Sequence, residues 1–412
     1  MNINWIQASI IWLTLAFIAV PRQPSFAQQV IPDVVGEIKP PADESPEFSV
    51  YGFAKLDYIQ DFNRVDPDWA VALRPSRIPT EEGVFGEDGQ SVLSVRQSLL
   101  GVRALLPTSV GNVRTVLEMD FFGVGFDQGQ TAPRLRKAYG DWGPWRAGQA
   151  NSLFTDIDVF PNLLDYWGPP GMVFLRAPQV RWTPIEGDHT LAFAVEQPSE
   201  TIDVGTFDRV IQELGLNIQG IERMPNFTSR YRHSGDWGYV QCAGILRTVG
   251  FESVGSPPPP GNEPKDQFLG WGVNLSSNLY FREKDRLILQ YVTGRAIASY
   301  MNDGGVDLAP TQPFPNPANP DTVPLAGVVV YYDWYWNSAW STSFGYSVNE
   351  VDNRAGQQDD AFGRGEYASV NLVCQPNDSL QYGIEYLWGQ RTDKDGASGT
   401  DNRIQVSARF SF

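Results

Sequence analysis

The chain has 412 residues and carries 48 acidic against 31 basic side chains, a net charge of −17. That acidic surplus argues against nucleic acid as a partner, and 13% aromatic with 19% charged residues is not the composition of a disordered polyelectrolyte. Beyond residue 20 no apolar run approaches the roughly 20 residues of a membrane helix, so if this chain enters a membrane it does so as strands.

The first segment, Ile10 to Val20, is apolar; Pro21-Arg22-Gln23-Pro24 and Ser25-Phe26-Ala27 follow. Small residues at the third and last positions before Gln28 mark a signal-peptidase site, which makes 1–27 a secretory leader. Residues 28–47, poor in aromatics and rich in Pro, Glu and Asp, are expected to form a flexible periplasmic lead-in.

Period-two alternation begins at Phe48, with Val50, Ala54, Leu56 and Tyr58 opposite Tyr51, Phe53, Lys55 and Asp57. After a long polar segment, strands are expected near 91–106, 112–124, 131–142 and up to 151, with turns at Pro107–Gly111 and Trp142-Gly143-Pro144-Trp145. The segment 152–172 carries Asp156, Asp158 and Asp165 and closes on Gly168-Pro169-Pro170-Gly171. Strands then run to Trp182, through Leu191–Glu196, through Phe227–Arg232, to Gly250, and over 266–281 and 286–298. The remainder read a strand through Val328–Trp334, one over 339–350, two strands meeting at Pro376–Ser379, and a last strand ending the chain. In that last strand Ile404, Val406, Ala408, Phe410 and Phe412 alternate strictly with Arg403, Gln405, Ser407, Arg409 and Ser411.

The count is about sixteen strands, and the connections alternate short and long. An all-β transmembrane antiparallel barrel has an even strand number, short periplasmic turns and long external loops. Trp142, Trp145, Trp182, Trp237, Trp336, Trp340 and Phe412 fall near the short turns, where an aromatic girdle would meet one membrane interface.

An arginine on the lipid face at the bilayer midplane costs about 2–4 kcal/mol, so charges should keep to the lumen face. Lys55, Arg103, Arg114, Glu118, Asp120, Arg134, Arg136, Arg181, Glu196, Arg230, Arg232, Asp333, Glu385 and Arg409 do so by parity. Arg96 and Lys137 do not; Arg96 is expected near the outer rim, and Lys137 at a subunit contact or snorkelling. Since the last strand closes onto the first, Lys55, Arg103, Arg114, Arg134, Arg136 and Arg409 lie on neighbouring strands about 4.8 Å apart and form a basic wall. If 152–172 folds inward, its aspartates face that wall across a constriction, a field that concentrates anions and orients dipoles. The bland alternative is that the arginines pair with Glu118, Asp120 and Glu385 and simply solvate the lumen.

Cys242 and Cys374 lie on separate strands, so no disulfide and no cysteine-rich metal site is expected. His189 and His233, both beside short turns, are ill placed for the Ser-His or Asp-His chemistry of a barrel enzyme. A channel without cofactor or metal is therefore the leading expectation, with a structural or adhesive barrel as the alternative.

The motifs Tyr51-Gly52-Phe53-x-Lys55-x-Asp57, Arg96-Gln97-Ser98, Glu118-x-Asp120-Phe121-Phe122-Gly123 and Arg134-x-Arg136-x-Ala138-Tyr139-Gly140 follow one another in the first third of the barrel. Gly148-Gln149-Ala150-Asn151-Ser152, Gly168-Pro169-Pro170-Gly171, Tyr386-Leu387-Trp388-Gly389 and Asn402-Arg403-Ile404-Gln405 complete the series. In order and spacing, over about 48–412, they resemble the DcaP-like porins. The resemblance implies a homotrimer of sixteen-strand barrels in the outer membrane, among lipid and lipopolysaccharide, taking up small anionic solutes such as dicarboxylates.

Overall fold

The computed structural model describes residues 45–255, 265–282 and 284–412; the expected leader and nearly all of the lead-in lie outside them. Sixteen antiparallel strands close into one barrel. The first eight are β1 (Glu47–Asp61), β2 (in two parts, Gln90–Ser94 and Leu99–Thr108), β3 (Gly111–Phe122), β4 (Thr131–Trp142), β5 (Trp145–Asn151), β6 (Arg176–Ile185), β7 (His189–Glu196) and β8 (also in two parts, Leu216–Gly220 and Asn226–Gly235). The second eight are β9 (Gly238–Gly255), β10 (Lys265–Phe281), β11 (Asp285–Arg295), β12 (Pro324–Tyr335), β13 (Trp340–Val351), β14 (Phe362–Asn377), β15 (Leu380–Asp393) and β16 (Ser398–Ser411).

Closure is made by β16 on β1, in a register running from Phe53 opposite Ser411 to Asp61 opposite Arg403. The chain end is tied in as well. Phe412 donates from its N–H to the Gly52 carbonyl at 3.0 Å and accepts from the Gly52 N–H at 3.1 Å. A Cβ at position 52 would lie 2.3 Å from the Leu99 carbonyl, so only glycine lets these three backbones meet. Closing the sheet leaves no unpaired edge, the condition for a strand protein in lipid. The outer face carries the alternate apolar side chains, among them Leu56, Leu117, Phe193, Trp271, Phe344 and Tyr386, all exposed. Near the short turns Trp145 stacks on Trp182 with ring centroids 6.1 Å apart, and Phe412 is 67% exposed. Both cysteines are unbonded; Cys374 keeps outward parity but is 4% exposed, opposite Tyr382 in the β14–β15 register.

Strict alternation fails at several places, and two of them correct the expected positions of charges. Between β3 and β4 the pairing steps from Glu118 opposite Lys137 to Met119 opposite Leu135, so Arg136 is the extra residue of a β-bulge. The bulge shifts the parity of everything after it. Tyr139 and Asp141 turn inward and are buried, and Lys137, expected toward lipid or a subunit contact, comes to line the lumen, with Nζ 3.9 Å from Glu118. Arg96 lies in the break between the two parts of β2. Instead of facing lipid it is buried, its guanidinium 4.3 Å over the Phe122 ring and donating to the Gly123 carbonyl at 3.1 Å.

The inner face is not uniformly wet. Ile288, Val329, Tyr331, Tyr367 and Leu387 point inward yet form an apolar cluster with Val65, Leu73 and Ile78 from the first long loop and Val159, Phe160, Leu163 and Met172 from the third. A second cluster joins Phe154 and Val173 to Ile297, Tyr300 and Met301 from the connection after β11. Three long loops thus fold into the barrel and give it a core, where sequence parity alone leads one to expect a polar lumen.

Candidate functional site

The connection between β5 and β6, residues 152–175, lies flat against the inner wall from β7 to β15. A buried loop needs a partner for each backbone polar group, and here the strands supply them. Glu196 accepts from the Leu153 N–H at 2.9 Å and from the hydroxyls of Ser152, Thr228 and Tyr300. Glu385 accepts from the N–H groups of Leu164 at 2.9 Å and Asp165 at 2.7 Å. The loop carbonyls are met by amides and cations: Asn274 to Phe154, Asn278 to Asp158, Asn371 to Asn162, and Arg286 to Asp158 and Phe160. Arg286 is itself fixed by Asp333 at 2.7 Å. The turn Gly168–Gly171 then presses backbone onto backbone. A Cβ on Gly171 would lie 2.3 Å from the Val348 carbonyl, and Gly168 has φ +75°.

The three loop aspartates serve this attachment and do not face the basic wall. Asp156 is buried, 2.7 Å from Arg232, and accepts from Tyr239 at 2.9 Å and Ser276 at 2.5 Å. Asp158 pairs with the same Arg232 at 2.5 Å. Asp165 accepts from the N–H groups of Leu73 at 3.1 Å and Gly168 at 2.8 Å and from the Tyr367 hydroxyl. Burial raises the Asp165 carboxyl above its ordinary value, against the pull of those two N–H groups. Glu196 and Glu385, although inward by parity, are likewise covered by the loop. The reason is general: a carboxylate taken from water must be paired or hydrogen-bonded, and the far wall offers donors.

The open space is left between the loop and the opposite arc, β16 and β1 to β6. It is a chamber of about 1260 Å³, counting the solvent it opens to. Six cations line it, Lys55, Arg134, Arg136, Lys137, Arg176 and Arg409, and among the described residues Glu118 is the acid that faces them. Arg134 is bidentate on Asp120, at 3.1 and 2.7 Å; Arg136 bridges Glu118 at 3.0 Å and Asp120 at 2.8 Å. The Tyr166 hydroxyl joins this knot, touching Asp120, Arg134 and Arg136, while its ring stacks on Phe122 at 4.1 Å. Lys55 is shared among Asp57 at 3.2 Å, Gln97 and the Leu164 carbonyl. Arg176 and Arg409 differ. Among the described residues neither guanidinium is ion-paired to a carboxylate; each lies by an aromatic ring, Phe174 at 4.6 Å and Phe53 at 5.4 Å.

The other expected lumen residues sit outside this chamber. Arg103 covers the Tyr51 ring at 4.4 Å, and Arg114 lies 3.7 Å from Asp141, both toward the short turns. Arg181 is buried on Gln179 and the Asn151 carbonyl; Arg230 is half-buried on β8. His189 and His233 stack on each other at 4.4 Å beside their turns. At the external side Arg74 of the first long loop is held between Trp69 and Trp167, 4.1 and 4.3 Å from the rings, and pairs with Asp303 at 2.7 Å.

A family model described as DcaP outer membrane protein matches residues 35–412. The chain belongs to that family. The DcaP channel of Acinetobacter baumannii shares its fold with a TM-score of 0.73 at 20% identity, over 89% of this chain and 97% of that one. An anion-selective porin of Comamonas acidovorans (TM-score 0.56, 8% identity, 89% and 100% covered) and a loop-deletion mutant of OmpT from Vibrio cholerae (0.54, 9%, 90% and 100%) are also similar in fold. Among curated proteins none matches the chain. As a DcaP-family protein it is a sixteen-strand barrel of a Gram-negative-type outer membrane, among structural neighbours that are channels and porins.

One feature of this DcaP-family chamber escapes sequence parity. Arg176 is the first residue of β6, one position out of step with the inward Ala177, Gln179 and Arg181, so parity aims it away from the lumen it lines. The inserted loop had a readable signal: Asn274, Asn278, Gln290, Asn371 and Gln405 all take inward parity, and primary amides both donate and accept, which suits an adjacent backbone.

Proposed function

We propose that this protein is a passive diffusion channel for small hydrophilic solutes that are anionic or dipolar, dicarboxylates among them, with a modest anion preference. The observation that carries the reading is the excess of cations over acids around the chamber. The excess acids of the sequence lie largely elsewhere: Glu81, Glu82, Glu87 and Asp88 are exposed on the first long loop. Such distant charges are screened over about 8 Å at physiological salt. Low-dielectric walls strengthen the field of the lining charges, so anions are enriched where the bore is narrow. In this reading Lys55, Arg134, Arg136 and Arg409 set the field together with Lys137 and Arg176, and Arg103 and Arg114 continue it toward the periplasm. The loop 152–172 defines the bore, and no chemical step is assigned to the protein.

We further propose that residues 1–27 are a cleaved leader, that 28–47 is a periplasmic lead-in, and that three copies assemble among outer-membrane lipid and lipopolysaccharide. Lys137 no longer supports a subunit contact, since it faces inward. Mass measurement in several mild detergents decides the trimer, and a monomer in all of them refutes it. The selectivity reading is tested by reversal potentials of single channels in asymmetric KCl. A potential on the chloride side is expected, and one on the potassium side overturns it.

A further inference from the structure

We propose that the chamber favours amphiphilic monocarboxylates, an aryl or branched-alkyl body bearing one carboxylate, over compact dianions of similar size. The inference rests on the anion-channel reading above and adds to it the chemistry of the second wall. Opposite the cations the inserted loop presents Ile157, Phe160 and Phe174, and its acids are turned into the barrel wall behind it. The chamber is therefore cationic on one side and apolar on the other.

The cations without a carboxylate partner repeat this pairing locally. Arg176 lies 4.6 Å from the centre of the Phe174 ring and Arg409 lies 5.4 Å from that of Phe53. A monocarboxylate with an apolar body can place its charge on either guanidinium and its body on the neighbouring ring or the loop face, removing apolar area from water on both partners. A dianion gains less. The remaining lining arginines, Arg134 and Arg136, are already engaged by Asp120 and Glu118, and Lys55 by Asp57. A second carboxylate turned to the apolar face loses its hydration without a partner.

The test uses the full-length protein in planar bilayers at pH 7, where phenylacetate is a monoanion and succinate a dianion, each titrated as a blocker of chloride current. Half-block by phenylacetate is expected at a concentration about tenfold below that of succinate, equivalent to about 1.4 kcal/mol. Ile157→Thr and, separately, Phe174→Gln should reduce that ratio toward one. An unaltered unfolding temperature in detergent shows that each variant has kept its fold and its loop in place. Equal or stronger block by succinate in the wild type overturns the inference, as does a ratio unmoved by both variants. A KCl reversal potential on the cation side sinks the channel reading and this one together. An anion-side potential without preference for phenylacetate sinks this one alone.

Discussion

Two arcs of one inner wall carry the same residue types and use them differently. From β7 to β15 the inward charges are spent on the inserted loop: Glu196, Arg232, Arg286, Asp333 and Glu385 each hold loop backbone, a loop aspartate or one another. From β16 through β6 the loop touches the wall at two points, the Leu164 carbonyl on Lys55 and Gln405 and Tyr166 on Asp120, Arg134 and Arg136, and beyond them Arg134, Arg136, Arg176 and Arg409 look onto open space. Whether an inward arginine is an anchor or part of a conducting path depends on what the chain lays against it. Parity identifies both arcs as polar and cannot separate them.

The anchor arc should respond to mutation through stability. Asp156→Ala leaves Arg232 partly buried and short of its main partner, a change that costs about 3 kcal/mol or more. The expected outcome is a lower unfolding temperature in detergent and a larger, noisier single-channel conductance as the loop loosens. Unchanged values for both would show that the loop does not depend on this pair.

The open arc should respond through selectivity. Arg176→Ala combined with Arg409→Ala is expected to lower the chloride-to-potassium permeability ratio several-fold with little loss of thermal stability, since neither side chain holds a carboxylate. Asn371→Ala, on the covered arc, should leave the ratio where it was. Equal shifts in the two cases would erase the distinction between the arcs.

Removing Arg134 and Arg136 together should act in the same direction by a smaller amount. Lys137, 3.9 Å from Glu118, stays beside the carboxylates they leave and offsets part of the lost positive charge. Reversal potentials in asymmetric KCl measure the shift, and one as large as that of the Arg176 and Arg409 pair would contradict this order.

The smallest effect belongs to Lys137. Lys137→Gln should move the reversal potential slightly toward cations and leave the oligomeric mass in mild detergent unchanged. A change of mass without a change of potential would return this residue to a subunit contact.

Period-two alternation, turn chemistry and the rhythm of short and long connections determined the class of this protein, its sixteen strands and, for most residues, which face is inward. They suffice because a closed strand protein in lipid has one way to satisfy its backbone and one side on which to put charge. What tertiary structure decided was local and consequential. A one-residue bulge at Arg136 reversed the parity of Lys137 and Tyr139, which no propensity announces. The break in β2 carried Arg96 to the Phe122 ring. The loop after β5 chose the far wall because the carboxylates and amides there could meet its backbone, so its aspartates went to Arg232 and Leu73 and left an apolar face toward the arginines. Alternation fixes the face of a residue within its own strand; which distant segment covers that face is settled only when the barrel closes and the buried polar groups compete for partners.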